Sequence, residues 1–338
     1  IPSFAKFAVA ANDNMRFGSG TEVFGEIQSN GGIRFDGLAH NLVKSAQQSY
    51  DDPDHSGGNE FGVHTHVNPI DPLPPAAVPS RPDVFLAGRQ FPVPALDFAG
   101  ITQNLADIKT KAQNGGVYAA SSTAFGYDLV FSTSTMSTTT YSLYRVTVLT
   151  APPANCTNVL NQTGWGTWSI QTETLVSTGT MPGNGVFFVE DNLWIRGQVS
   201  STRITIASGR FPDNPTTRTS ITLNNNLQYS HFDGSDSIGL IAQNNINIGM
   251  VSDDIIRVDA ALIAQNGRVG RYYYRPPGGG QQRCSPYHTR QKITSYGMIG
   301  TSLRYGFAYT DGTGYITREL VYDSNLLYGP PPSFPLAG

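Results

Sequence analysis

The sequence predicts a mainly β protein: a β-solenoid- or β-helix-like stack of short strands, with an inserted α+β segment that contains one helix. Three observations carry this reading. Charged residues make up only 14% of the chain, against roughly a quarter in an average globular protein. In their place stand 36 Gly, 22 Pro and runs of Ser, Thr and Asn, which compete with or destabilise helical backbone and suit strands joined by turns. Strings also recur: "LIAQNNINIG" at 240–249 returns as "LIAQNGRVG" at 262–270, with looser versions in "EIQSNGGIRFDG" at 26–37 and "FFVEDNLWIRG" at 187–197.

The shared pattern is an alternating apolar run, an Asn, a second short run, then Gly. Asn falls at Asn30, Asn192, Asn244 and Asn266, and Gly at Gly37, Gly197, Gly249 and Gly270. Strings repeated about two strands apart fit successive rungs of a stack, each burying its apolar side on the last. Asn at the corners can take left-handed geometry or ladder with Asn of the adjacent turn. An antiparallel sandwich is the competing arrangement, since it too uses short strands and Gly turns.

Taken in order, residues 1–45 read as strands and belong with 181–328 to one stacked body. Residues 46–180 form a loop-rich α+β insert, and 329–338 a Pro-rich tail. The polar stretch "SYDDPDHSGGNEFGVHTHVNPIDPLPPAAVPSRP" is too rich in Pro and Gly for a long regular element. The helix is "ITQNLADIKTKAQNGG": Ile101, Leu105, Ile108 and Ala112 share a face, and Gly115-Gly116 stops it. "GYDLVFSTSTMSTTTYSLYRVTVLT" reads as a hairpin or meander with Thr and Ser facing water, and the Trp165/Trp168 stretch as a further strand. From 181 to 275 the repeats dominate, with Leu240, Ile246, Ile248, Leu262 and Ile263 expected to be buried. The segment from Ser295 onward reads as one more hairpin or strand pair, ending in a Pro-rich piece that can drape over the body.

A formal net charge of −3 argues against general nucleic-acid or membrane-surface binding. No apolar run is long enough to span a bilayer. The opening "IPSFAKFAVAAND", without an initiator Met, suits a processed protein or a fragment of a longer one. Cys156 and Cys284 fit no zinc motif; in an exported protein they would be one disulfide, in a cytosolic one two buried thiols, and the disulfide is the favoured reading.

Candidate sites are sparse. Asp52, Asp54, Asn59 and Glu60 in "DDPDHSGGNE" offer hard oxygen ligands on a Gly-rich turn, so a structural Ca²⁺ is the one cofactor considered; a solvated polar loop is the plainer alternative. His64 and His66 in "HTH" would point to one side of a strand, and with His55 could bind a transition metal, although hydrogen-bonded or surface histidines explain them more simply. Asp253, Asp254, Arg257 and Asp259 supply acids of the kind polysaccharide-cleaving β-helices use, but adjacent Asp residues face opposite ways and turn roles fit better. The basic, aromatic stretch holding Arg271, Tyr272, Tyr273, Tyr274 and Arg275 could bind single-stranded nucleic acid or an acidic glycan, but a protein interface is the favoured reading. No nucleophile elbow, Walker loop, dinucleotide fingerprint or zinc-protease motif occurs, so no catalytic residue is assigned.

Several stretches together resemble exported bacterial proteins associated with type IV pilus assembly. They are "FGEIQSNGGIRFDG", "LADIKTKAQNGGVY" with "GYDLVFS" and "YSLYRVT", then "NLWIRGQV", "IGLIAQNNINI" and "DAALIAQNGRVG". The resemblance implies an N-terminal pilin-like helix ahead of a large β-rich domain, surface display and pilus subunits as partners; membrane anchoring would come only through that helix, which this sequence lacks. The expected function is therefore that of a non-enzymatic, extracellular or cell-surface structural or adhesive protein, pilus-associated or filament-forming, that self-associates and could meet a surface glycan. The alternative is a carbohydrate-active β-helix enzyme, a lyase, hydrolase or phage-type depolymerase.

Overall fold

The computed structural model describes residues 4–98, 101–134 and 138–334, with the side chains of 5 and 101–104 outside the described set. The chain is mainly β, 41% strand and 5% helix, with one α-helix and a large parallel sheet. Register partners explain the repeated strings. Leu240 lies beside Leu262 and Ile241 beside Ile263, so the two "LIAQ" strings sit side by side in parallel strands. Further along both strings, Ile246 pairs with Val269 in the same sense.

One ladder runs from Val117 through Phe187, Ile206, Leu240 and Leu262 to Ile299. There the chain's beginning takes over: Ile299 pairs with Val9, then Ile27 and Val43 follow. A second ladder passes through Leu193, Ile221, Ile246 and Val269. A third passes through Leu227, Val258, Ser295, Leu320, Val23 and Ala39. Residues of the 46–180 segment take places in the same sheet at Arg89, Val117 and Tyr127.

Both faces of the first ladder are covered, which is why its strands read as nearly continuous apolar runs. Leu240, Leu262 and Ile299 face the main core. Ile241, Ile263 and Met298 face outward into a second core beneath Leu105, Ile108 and Ala112. The helix spans Ile101–Gln113 with Gly115 at φ +101°, as the sequence reads, although the Ile101 side chain lies outside the described residues. Leu240, Ile246, Ile248, Leu262 and Ile263 are all buried, each contributing about 1.5–3 kcal/mol.

Two local expectations are corrected and a third is resolved. Of the hairpin or strand pair expected in the tail, the structure shows the strand pair, with Thr289–Thr301 and Gly314–Tyr322 as parallel neighbours. Trp165 and Trp168 precede the next strand, Ile170–Thr180, and belong to an irregular segment. None of Asn30, Asn192, Asn244 and Asn266 takes left-handed geometry. Asn side chains tie neighbouring rows together instead: Asn192 Oδ1 accepts from Ser220 N at 3.0 Å, and Asn245 Oδ1 from Arg268 N at 2.9 Å. The corner glycines permit close stacking, since a Cβ on Gly270 would meet Gly306 O at 2.5 Å. The Pro-rich end does drape over the body, with Phe334 in the outer core and Arg203 donating to Pro330 O at 2.9 Å; residues 335–338 lie outside the described residues.

Against this parallel body stands an antiparallel extension, Gly126–Thr133, Thr139–Leu149 and Ile170–Thr180. It bears out the hairpin reading; residues 135–137 lie outside the described residues. Cys156 and Cys284 are joined as a disulfide, Cα atoms 4.7 Å apart.

Candidate functional site

Three short parallel strands, Met15–Phe17, Ile33–Phe35 and Val63–His64, set up the site. Period-two alternation sends Met15, Ile33 and Val63 into the core. The next register row is therefore Arg16, Arg34 and His64, on the opposite face. Ser49–Tyr50 pairs antiparallel with Glu60–Phe61, and the loop 51–59 between them brings its acids to that row.

The four oxygen ligands of the Gly-rich turn do not act as one set. Asp54 turns to arginines, lying 3.3 Å from Arg16 and bonded to Arg304, and Asn59 is exposed. Asp52 and Glu60 turn inward and are 2% and 3% exposed. Each meets histidines. Asp52, His64 and His66 form one group, and His55, Glu60 and His66 another, with the donor atoms in each within 4.8 Å of one another. Three of these five residues, the histidines, stood in the sequence only as a weaker alternative. Nothing in the spacing signals that strand pairing would carry Asp52 and Glu60 to them.

His64 is 1% exposed, and among the described residues neither ring nitrogen has a hydrogen-bond partner; Asp52 Oδ2 likewise has none. The two atoms, His64 Nε2 and Asp52 Oδ2, face each other at 3.5 Å. Arg34 NH1 stands 3.5 Å from the same oxygen while its Nε bonds Asp36 at 2.7 Å. His55 Nδ1 contacts Glu60 Oε1 at 2.5 Å. Asp36 Oδ1 accepts from the His66 backbone N–H at 2.8 Å and so fixes that residue. Burial opposes ionisation of Asp52, but His64, the Asp54 N–H and the Arg34 charge outweigh it and hold the carboxyl well below the usual range. Burial, then the Arg34 charge, lower the pKa of His66, favouring the neutral ring that ligates metals.

His66 and Asp54 also line a cleft of about 870 Å³, together with Arg16, Arg268, Arg304 and Tyr309. Asp253, Asp254 and Asp259 are not among its lining residues. Asp253 accepts from Asn225 at 3.1 Å, Asp254 from the Gln291 N–H at 3.1 Å, and Asp259 pairs with Arg257 at 2.8 Å.

Three residues of the Tyr/Arg stretch are core residues, which corrects the reading of those three as an interface. Arg271, Tyr272 and Tyr274 are buried, and only Tyr273 and Arg275 are half-buried. Arg271 donates to Gly249 O, to Ser252 Oγ at 2.8 Å, to Met250 O at 2.9 Å and to Tyr287 O at 2.6 Å, beneath the Tyr274 ring at 4.8 Å. Tyr274 Oη donates to Gly166 O at 2.8 Å, and Trp165 Nε1 to Tyr273 O at 2.9 Å. The stretch thus pins the loop ahead of Ile170–Thr180 to the body, beside the disulfide. Aromatic and cationic residues satisfy an interface pattern and a polar core pattern equally, so composition alone could not separate them.

Two further features escaped the sequence reading. Asp128 is buried on the extension, with Oδ2 held by Arg196 Nε at 2.9 Å and Oδ1 unpartnered. The strand Ile170–Thr180 pairs only with Thr139–Leu149 among the described residues, and exposes Leu175 (58%) and Val176 (53%). Comparison with known proteins finds no matching family model, no matching curated protein and no matching solved structure.

Proposed function

We propose that this protein is a β-solenoid-like structural or adhesive protein that acts by being assembled and displayed. The observation that carries this is the outer edge of Ile170–Thr180. It is an 11-residue strand, "IQTETLVSTGT", without Lys or Pro and with one acid. Exposed edges are normally blunted by Lys, Pro, shortness or cover, and an unprotected one is a template for another strand. Bulges against Thr139–Leu149 twist this edge, but leave Leu175 and Val176 outside. The occupant is a second copy of this chain: a low-charge Thr/Ser strand is complementary to itself, and a two-fold pairing would continue the three-stranded extension into six.

The disulfide supports an oxidising compartment, and with it an extracellular or cell-surface location. The resemblance to pilus-assembly proteins adds pilus subunits as partners. The carbohydrate-active alternative has the arginine-bearing cleft in its favour, as a place for an acidic glycan, although its proposed acids lie elsewhere.

Sedimentation velocity on the wild type and on Leu175→Lys/Val176→Lys tests the assembly. The wild type should self-associate, while the double variant sediments as a monomer with an unchanged melting temperature, because both positions are solvent-exposed. A wild type that stays monomeric at every concentration, with no larger particle in negative stain, sinks the reading.

A further inference from the structure

We infer that Asp52, His64 and His66 form a binding site for a divalent transition-metal ion of the zinc type. The inference is independent of the assembly reading. Its basis is three donors that the fold brings together, of which His64 and one Asp52 oxygen make no hydrogen bond among the described residues. Buried polar groups are almost always hydrogen-bonded, so an unpartnered buried imidazole beside an unpartnered carboxylate oxygen calls for a ligand. His64 and Asp52 are both of this kind.

The spacing fits the same ion. Ligands at about 2.0–2.1 Å from a tetrahedral zinc lie about 3.4 Å from each other. His64 Nε2 and Asp52 Oδ2 are 3.5 Å apart, too long for a good hydrogen bond and close to that ligand–ligand separation. All three donor atoms lie within 4.8 Å of one another, so a shift of the half-buried His66 ring completes the set.

Donor type selects the ion class. Calcium takes six to eight oxygens, whereas two imidazoles and one carboxylate suit zinc and its neighbours. Three protein ligands leave a four-coordinate ion one further position for water, and His66 lines the cleft from which water enters. His55 and Glu60 lie alongside as a bonded pair that shares His66, a carboxylate-to-histidine contact of the sort that orients rings around metals. The effect of the ion would be to fasten Asp52, in the loop 51–59, to His64 and His66, adding to the two-residue strands and the Asp54 ion pairs that hold this segment.

The test uses the full chain, stripped of metal with a chelator, and titration calorimetry with zinc, calcium and magnesium ions separately. One zinc per chain should bind with a dissociation constant of about 1 µM or tighter, and raise the melting temperature. Calcium and magnesium should not compete. Asp52→Asn, His64→Gln and His66→Gln should each weaken zinc at least about tenfold, while His231→Ala, on the far-off Asp236, binds as the wild type does. Should the two buried variants fail to fold, His66→Gln decides, and cobalt(II) gives a readout that needs no variant. An intense visible spectrum marks a four-coordinate site with nitrogen ligands; a weak six-coordinate spectrum overturns the proposal. It is equally overturned if the wild type binds no zinc, binds calcium as tightly, or if folded His66→Gln keeps wild-type affinity.

Discussion

Arg271 and His64 are both deeply buried polar side chains, yet their surroundings are opposites. Arg271 is 0% exposed with no carboxylate partner among the described residues, and three backbone carbonyls and a hydroxyl surround its two terminal nitrogens. His64 is 1% exposed, and among the described residues its ring makes no hydrogen bond, with Asp52 Oδ2 facing it only at 3.5 Å. The first is a nearly finished piece of structure: a cation whose two terminal nitrogens are solvated by the fold and roofed by Tyr274, with Nε left unpaired among the described residues. The second is an unfinished one. A buried polar group that makes most of its bonds speaks for stability, and one that makes none speaks for something else that binds there. Exposure alone does not separate the two; the hydrogen-bond inventory does.

The largest expected effect comes from breaking the finished cluster. Arg271→Ala leaves several buried acceptors unpaired and opens a void, and should cost about 3–5 kcal/mol in urea unfolding. A loss under about 1 kcal/mol would mean that the carbonyls around it are solvated from elsewhere, and the contrast with His64 would fail.

Asp128 stands between the two cases, with one carboxylate oxygen bonded and the other not. Burial raises its pKa to about 7; the Arg196 charge pulls it down and Glu173 pushes it up again. The unfolded carboxyl ionises near 4. Between those values the folded state binds more protons than the unfolded one, so this group's contribution is fully present below pH about 4 and lost as pH rises through about 7. Melting curves followed by circular dichroism should show Asp128→Asn losing less stability than the wild type between those pH values. Parallel pH profiles would show that Asp128 is ionised throughout, its partner Arg196 being sufficient.

The smallest effect sharpens the other end of the comparison. In metal-free buffer, His64→Phe exchanges an unpartnered ring for an apolar one of similar shape, and should change stability by no more than about 1 kcal/mol in either direction. A loss comparable to that of Arg271→Ala would show that His64 has partners in solution, and would weaken the case for a metal there.

Much of the body was legible in residue order. Repeated "LIAQ" strings marked strands that stack in register, because identical apolar runs bury identical faces; Leu240 beside Leu262 is the result. The helix could be read from the spacing of Leu105, Ile108 and Ala112 and from its Gly-Gly stop, because both are local. The tail left hairpin and strand pair open, because a turn and two strands look alike whether the second strand returns or runs onward; pairing with Thr289–Thr301 on one side and Thr21–Phe24 on the other fixes Gly314–Tyr322 as parallel.

What the sequence by itself determined is the class of structure: mainly short strands, one helix, repeated strings that pair as neighbours and a pair of cysteines able to join. Those follow from periodicity, turn residues and composition, which act over a few residues at a time. Only the tertiary structure decided which polar residues are sites. Tyr272 and Tyr274 went inside and gave up their place at a surface, while Asp52 and His64, 12 positions apart in the chain, came to face each other across 3.5 Å. The physical reason is that a side chain's partners are set by strand register and loop closure over long separations, and a polar residue's meaning lies in those partners more than in its type.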